Sequence, residues 1–177
     1  MKKIIEFVTF SVLFFMLTTL LPAQQPIKSP DWESWRFLLG EWVGEGGGSQ
    51  PGQGSGGSTF YLALQDKIMV RKNHSEFPAT KDKAAYAHDD VTIIYPENGK
   101  TRAIYFDNEG HVINYTAEFS EDHNTLIFIS DIQPSLPRFR LSYIKSANDT
   151  LKLKFEIAPP GTPEAFSPYI ESALRRK

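Results

Sequence analysis

Residues 66–120 read DKIMVRKNHSEFPATKDKAAYAHDDVTIIYPENGKTRAIYFDNEGHVINYTAEFS, and the period of their apolar residues decides the fold. Val91, Ile93 and Tyr95, then Ile104 and Phe106, then Ile113, Tyr115, Ala117 and Phe119 fall at every second position. Period two is the mark of a strand with one face turned away from water. Turn chemistry separates the runs at Gln65-Asp66, Pro96-Glu97-Asn98-Gly99 and Asp107-Asn108-Glu109-Gly110, with glycine where a left-handed residue is wanted. The strands Lys67–Phe77, Asp89–Tyr95, Thr101–Phe106 and His111–Phe119 follow each other too closely for parallel crossovers.

The same reading extends both ways. Phe60, Leu62 and Leu64 alternate before the quoted stretch; Thr125–Ser130, Arg138–Lys145 and Thr150–Ile157 continue after it. Asp31 is placed to cap a short helical turn over Trp32–Leu39, ended by Gly40, and Glu41-Trp42-Val43 begins a strand. The Gly-rich stretch 44–57 reads as a flexible connection. No Gly-Lys-Ser/Thr closes it, so it is not a phosphate-binding loop. Pro159-Pro160-Gly161 ends the strands, and Pro163–Lys177 reads as a closing helix. The expected fold is all-β: a small antiparallel barrel of about nine or ten strands with a C-terminal helix. Closure removes exposed edges; an open sandwich is the alternative.

Within 177 residues this predicts one domain over residues 31–177, preceded by a cleavable signal at 1–23 and a linker at 24–30. Lys2-Lys3 give the basic start, Ile4 to Leu21 the apolar run, and Leu21-Pro22-Ala23 the small-residue cleavage chemistry. A membrane anchor is the competing reading. Export to the periplasm or beyond is expected, with no stable anchor after cleavage. The chain has no cysteine, so neither a disulfide nor a lipidated N-terminus is expected. Removing Lys2, Lys3 and Glu6 from the totals of 19 basic and 21 acidic residues leaves 17 and 20, a charge of −3. Without a basic stripe, nucleic acid is not an expected partner.

Pairing Tyr95 with Lys100 and Phe106 with His111 puts Val91, Ile93, Tyr95, Ile104, Phe106, Ile113 and Tyr115 on one face. That face is too apolar for solvent and is expected to be the interior. Asp89 and His111 then share one end, with Arg102 towards the other. Carrying the register to Lys67–Phe77 adds Ile68, Val70, Lys72, His74 and Glu76 to the inside. Farther on, Phe139, Leu141 and Tyr143 share a face, as do Leu151, Leu153, Phe155 and Ile157, with Arg140 directed to solvent.

A His/carboxylate rim is therefore expected, and the candidate ligand-binding residues are His74, Glu76, Asp89, His111, Arg102, Tyr115 and Tyr143. His111 with Asp89 or Glu76 is a serviceable acid–base pair. No His-x-His or His-x-x-x-His spacing assembles a metal site locally, and no metal is assigned. No Gly-x-Ser-x-Gly elbow or catalytic cysteine supplies a nucleophile, so the catalytic residues are unassigned.

Leu38-Leu39-Gly40-Glu41-Trp42-Val43-Gly44-Glu45-Gly46 resembles the Gly-x-Trp-x-Gly start of calycin-type barrels, particularly the haem-binding nitrobindins. Pro168-Tyr169-Ile170-Glu171-Ser172-Ala173-Leu174-Arg175-Arg176 is similar to the end of that group. Asn73-His74-Ser75-Glu76-Phe77-Pro78, His88-Asp89-Asp90 and Phe106 to Val112 look like uncharacterised exported bacterial members of the superfamily. The resemblance implies an antiparallel barrel with a ligand cavity and a helix across one end. Where nitrobindins present a haem-ligating His near the C-terminus, this chain has Tyr169, which can also ligate ferric haem. The combined expectation is an exported module holding a small apolar or amphipathic molecule among Phe60, Leu62, Ile93, Ile104, Phe139 and Phe155. Its rivals are a hydrolytic or proton-transfer enzyme and a haem protein.

Overall fold

The computed structural model describes residues 31–45, 54–146 and 149–177. The expected signal, the linker and the centre of the Gly-rich stretch lie outside the described residues. Ten strands form a closed antiparallel meander: β1 Gly40–Glu45, β2 Ser55–Ala63, β3 Ile68–Phe77, β4 Tyr86–Glu97, β5 Lys100–Asp107, β6 Val112–Phe119, β7 Thr125–Ser130, β8 Arg138–Lys145, β9 Thr150–Ala158 and β10 Ser167–Arg176. The architecture is consistent with a calycin-like barrel, and no described strand is left with an open edge.

Asp31 accepts from the Glu33 backbone N–H and caps a 3₁₀ helix, Trp32–Leu38. This helix plugs one end of the barrel. Trp35 packs edge-on against Phe119 and Phe128, and Trp32 Nε1 donates to the Asp66 carbonyl at 2.7 Å. The strand ends carrying Phe77, Tyr86, Asp107 and Val112 form the opposite end, the mouth.

The expected C-terminal helix is instead β10. Ile170 and Leu174 lie four apart, a spacing that suits one face of a helix and one face of a strand equally. Pairing with both β9 and β1 decides between them, because it satisfies the two edges that would otherwise stay open. Arg176 then reaches the plug: its guanidinium lies 4.4 Å from the Trp42 ring and donates to the Leu39 and Phe37 carbonyls. The ends of the Gly-rich stretch are also strand. A Cβ on Gly57 would stand 2.3 Å from the Trp42 carbonyl oxygen, so only glycine fits where β1 and β2 approach.

The expected interior of β3, β4 and β5 faces outward. The β4–β5 turn is Asn98-Gly99 alone, both with positive φ, so Glu97 rather than Tyr95 pairs with Lys100. That shift of two keeps the faces. The decisive slip is at β5–β6, where Phe106 pairs with Val112 and not His111. The Asp107 side chain accepts from the backbone N–H groups of Glu109 and His111, which lengthens the connection by one residue. Tyr115 thus shares its face with Ala103 rather than with Ile104. The inner set is Met69, Arg71 and Asn73; Asp90, Thr92 and Ile94; Ala103, Tyr105 and Asp107; Ile113, Tyr115 and Ala117. Ile93, Ile104 and Phe106 are on the outer wall. Phe60, Leu62, Phe139, Leu141, Tyr143 and Phe155 face inward as expected, and Arg140 lies on the outer face, ion-paired with Glu156 at 2.6 Å.

Candidate functional site

Burial of the inward residues falls from the plug towards the mouth. Met69, Ile94, Ala103, Leu126 and Tyr143 are buried, whereas the inward Tyr105, Ile113, Phe139, Leu141 and Phe155 are only half-buried. Between the two halves lies a polar layer. Arg71 on β3 and Asp90 on β4 stand diagonally across the ladder, with Arg71 Nη1 2.5 Å from Asp90 Oδ1. Beside them a small space is lined by Phe60, Ile94, Phe128 and Leu141 and by Arg71, Thr92, Tyr105, Tyr115 and Tyr143. It offers about 10 Å³ to the centre of a water-sized sphere, room for about one water.

Arg71 Nε, Thr92 Oγ1 and Tyr143 Oη are buried without a hydrogen-bond partner. Buried polar groups are ordinarily satisfied. The surface that the small space presents is apolar, so these three atoms lie behind its wall and are not offered to an occupant. Burial raises the Asp90 carboxyl above its ordinary value, and Arg71 and His88 oppose that shift without cancelling it. Burial also raises the hydroxyls of Tyr105, Tyr115 and Tyr143, the last to about 12, so all three are neutral donors at physiological pH.

A second group runs from this layer to the mouth. His88 Nε2 lies 3.0 Å from the Tyr105 hydroxyl and 3.6 Å from Asp90, while its Nδ1 lies 3.1 Å from Glu109. Tyr105 donates to Asp107 at 3.2 Å, and Asp107 also holds His111 Nδ1 at 2.8 Å. Burial alone would raise Asp107, but the hydrogen bonds from the His111 backbone and ring outweigh it and hold the carboxyl below its usual value.

The expected site residues divide between faces. Tyr115 and Tyr143 are inside. His74, Glu76 and Asp89 meet one another at the mouth but on the outer wall: His74 Nδ1 is 2.7 Å from Asp89, and Nε2 is 3.2 Å from Glu76. Those two carboxylates raise the His74 pKa, Asp89 foremost. His111 is exposed and pairs with Asp107, so neither expected partnership, with Asp89 or with Glu76, forms. Arg102 is on the outer wall in a two-pronged pair with Asp131 at 3.0 and 2.6 Å. The inner residues Arg71, Asp90, Thr92 and Tyr105 went unassigned. They occupy the alternate positions of the same strands, and the Asp107 cap was the signal that exposes them.

Haem does not fit these residues. Tyr169 sits at a bulge in β10, 48% exposed, edge-on to Phe155. Both ring nitrogens of His74 and of His88 are engaged, and His74 and His111 lie outside the barrel. Among the described residues no three His, Asp or Glu side chains are grouped to hold a metal ion. No known protein family matches the chain, and no curated protein does.

Proposed function

We propose that this chain is an exported small-molecule-binding barrel of the calycin type. The body of an apolar or amphipathic ligand lies in the mouth half, on Ile113, Phe139, Leu141 and Phe155, with its polar end towards His88, Tyr105 and Asp107. The observation that carries this reading is a closed barrel whose inward apolar residues Ile113, Phe139, Leu141 and Phe155 stay only half-buried beside the polar group of His88, Tyr105 and Asp107 at the mouth. Support for export is the apolar run Ile4 to Leu21 behind Lys2-Lys3. Acid–base catalysis at His111 has less support, since its ring faces solvent and its partner is Asp107.

Native mass spectrometry of the protein, purified without denaturant from a periplasmic extract, tests the proposal. A retained small molecule, displaced when the barrel unfolds, is the expected result. A clean apo mass, unchanged after incubation with a panel of apolar and amphipathic molecules, would sink it.

A further inference from the structure

We infer that the outer wall of β2–β6 is an interface at which two copies of this chain pack face to face. The contact is independent of anything held inside the barrel. A strand covered on one side alternates apolar with polar, and one covered on both sides reads as a continuous apolar run. β4 is of the second kind: in Val91-Thr92-Ile93-Ile94-Tyr95, Ile94 points inward while Val91, Ile93 and Tyr95 point outward. The register assembles the outward residues into two adjoining rows. Tyr61, Val70, Ile93 and Ile104 pair directly across β2 to β5. Val91, Phe106 and Val112 form the next row towards the mouth. Val70 is already buried, but Tyr61 is 37% exposed, Phe106 41% and Val112 58%. Polar groups border these rows, His74 and Asp89 towards the mouth and Arg102 towards the plug. An apolar centre inside a polar rim is the anatomy of a protein–protein contact. From one bordering row to the other, four rows on five strands span about 26 by 24 Å, or about 630 Å² of flat sheet. Side-chain relief brings the accessible area towards the roughly 800 Å² per partner of a stable interface.

The occupant that fits is a second copy, because the face is self-complementary in charge. Lys72 continues the second row, with Nζ 6.0 Å from the Tyr61 ring and no carboxylate partner among the described residues. Asp89 and Glu76, by contrast, set two carboxylates against the single ring of His74. A two-fold contact offers each copy's Lys72 the other's excess carboxylate. The same carboxylates oppose an anionic lipid surface.

Sedimentation equilibrium of the protein purified from a periplasmic extract tests the inference. A dimer is expected at about 50 µM protein. Phe106→Glu is expected to weaken it about a hundredfold, since a two-fold contact carries the change twice. Val112→Glu, at a more exposed position, is expected to do the same even where Phe106→Glu fails to fold. Leu136→Glu, on the β7–β8 loop away from this face, is expected to leave the dimer intact. A monomer throughout would overturn the inference, and its retention on phosphatidylcholine vesicles, lost in Val112→Glu, would give the face to a lipid surface. Weakening by Leu136→Glu equal to that by Val112→Glu would also overturn it, by placing the contact elsewhere.

Discussion

Arg71 and Asp90 form an ion pair inside a barrel whose other interior residues are mostly apolar or hydroxylic. Breaking a buried pair from one side leaves an uncompensated charge, which costs about 3–5 kcal/mol. Arg71→Met is therefore expected to lose about that much in urea denaturation at neutral pH. The loss should shrink as the pH falls, because Asp90 then takes up a proton and its stranded charge disappears. In the unaltered protein Asp90 is raised above 3.8, so the fold holds its proton more firmly than the unfolded chain. Its contribution to stability is greatest in acid and declines as the pH rises from 3.8 through the folded value. A pH-independent loss in Arg71→Met would show that Asp90 is not the stranded group.

His74 titrates above its ordinary 6.5 because Asp89 and Glu76 stabilise the imidazolium. Its contribution is fully present below pH 6.5 and is lost as the pH rises through the folded value. Asp89→Asn should move the His74 ring titration, followed by NMR, back towards 6.5. Ligand affinity should not change, since this group lies on the outer wall. An unmoved titration would mean the contact is not formed in solution.

The C-terminal strand is tied to the plug through Arg176. Its guanidinium over Trp42 and its hydrogen bonds to Leu39 and Phe37 combine a cation–π contact with two charge-assisted bonds. Arg176→Ala is expected to cost about 2–4 kcal/mol and to change Trp fluorescence in the native state. A change below about 0.5 kcal/mol would mean that β10 is held by its ladder alone.

Two glycines separate close approach from mere flexibility. A Cβ on Gly57 would meet the Trp42 carbonyl oxygen at 2.3 Å, whereas one on Gly44 finds its nearest atom at 3.6 Å. Gly57→Ala should cost about 1–3 kcal/mol through overpacking. Gly44→Ala should be neutral or stabilising by about 0.5 kcal/mol, since it restricts the unfolded chain. Equal effects in thermal denaturation would contradict the β1–β2 approach.

The meander was legible because period-two runs and turn residues are local. Which face turned inward was not, because both faces of β4 and β5 are apolar: Ile93 and Ile104 outside, Ile94 and Ala103 inside. A single capping carboxylate, Asp107, set the register that chose between them. The His/carboxylate cluster was legible as a location at the mouth, yet His74, Glu76, Asp89 and His111 all stand outside the barrel. Arg71 was hidden by its neighbours, since a charged residue between Val70 and Lys72 reads as solvent-facing until the barrel is closed around it. β10 was misread because a spacing of four suits helix and strand alike, and only the long-range pairing with β1 distinguishes them.

The most direct test of the account is an NMR titration with a panel of apolar and amphipathic molecules that follows the Phe139, Phe155 and His74 rings together. The account predicts a saturable shift at Phe139 and Phe155 with the His74 ring unmoved. A shift at His74 with Phe139 and Phe155 unchanged would place the ligand on the outer wall and contradict the inner site.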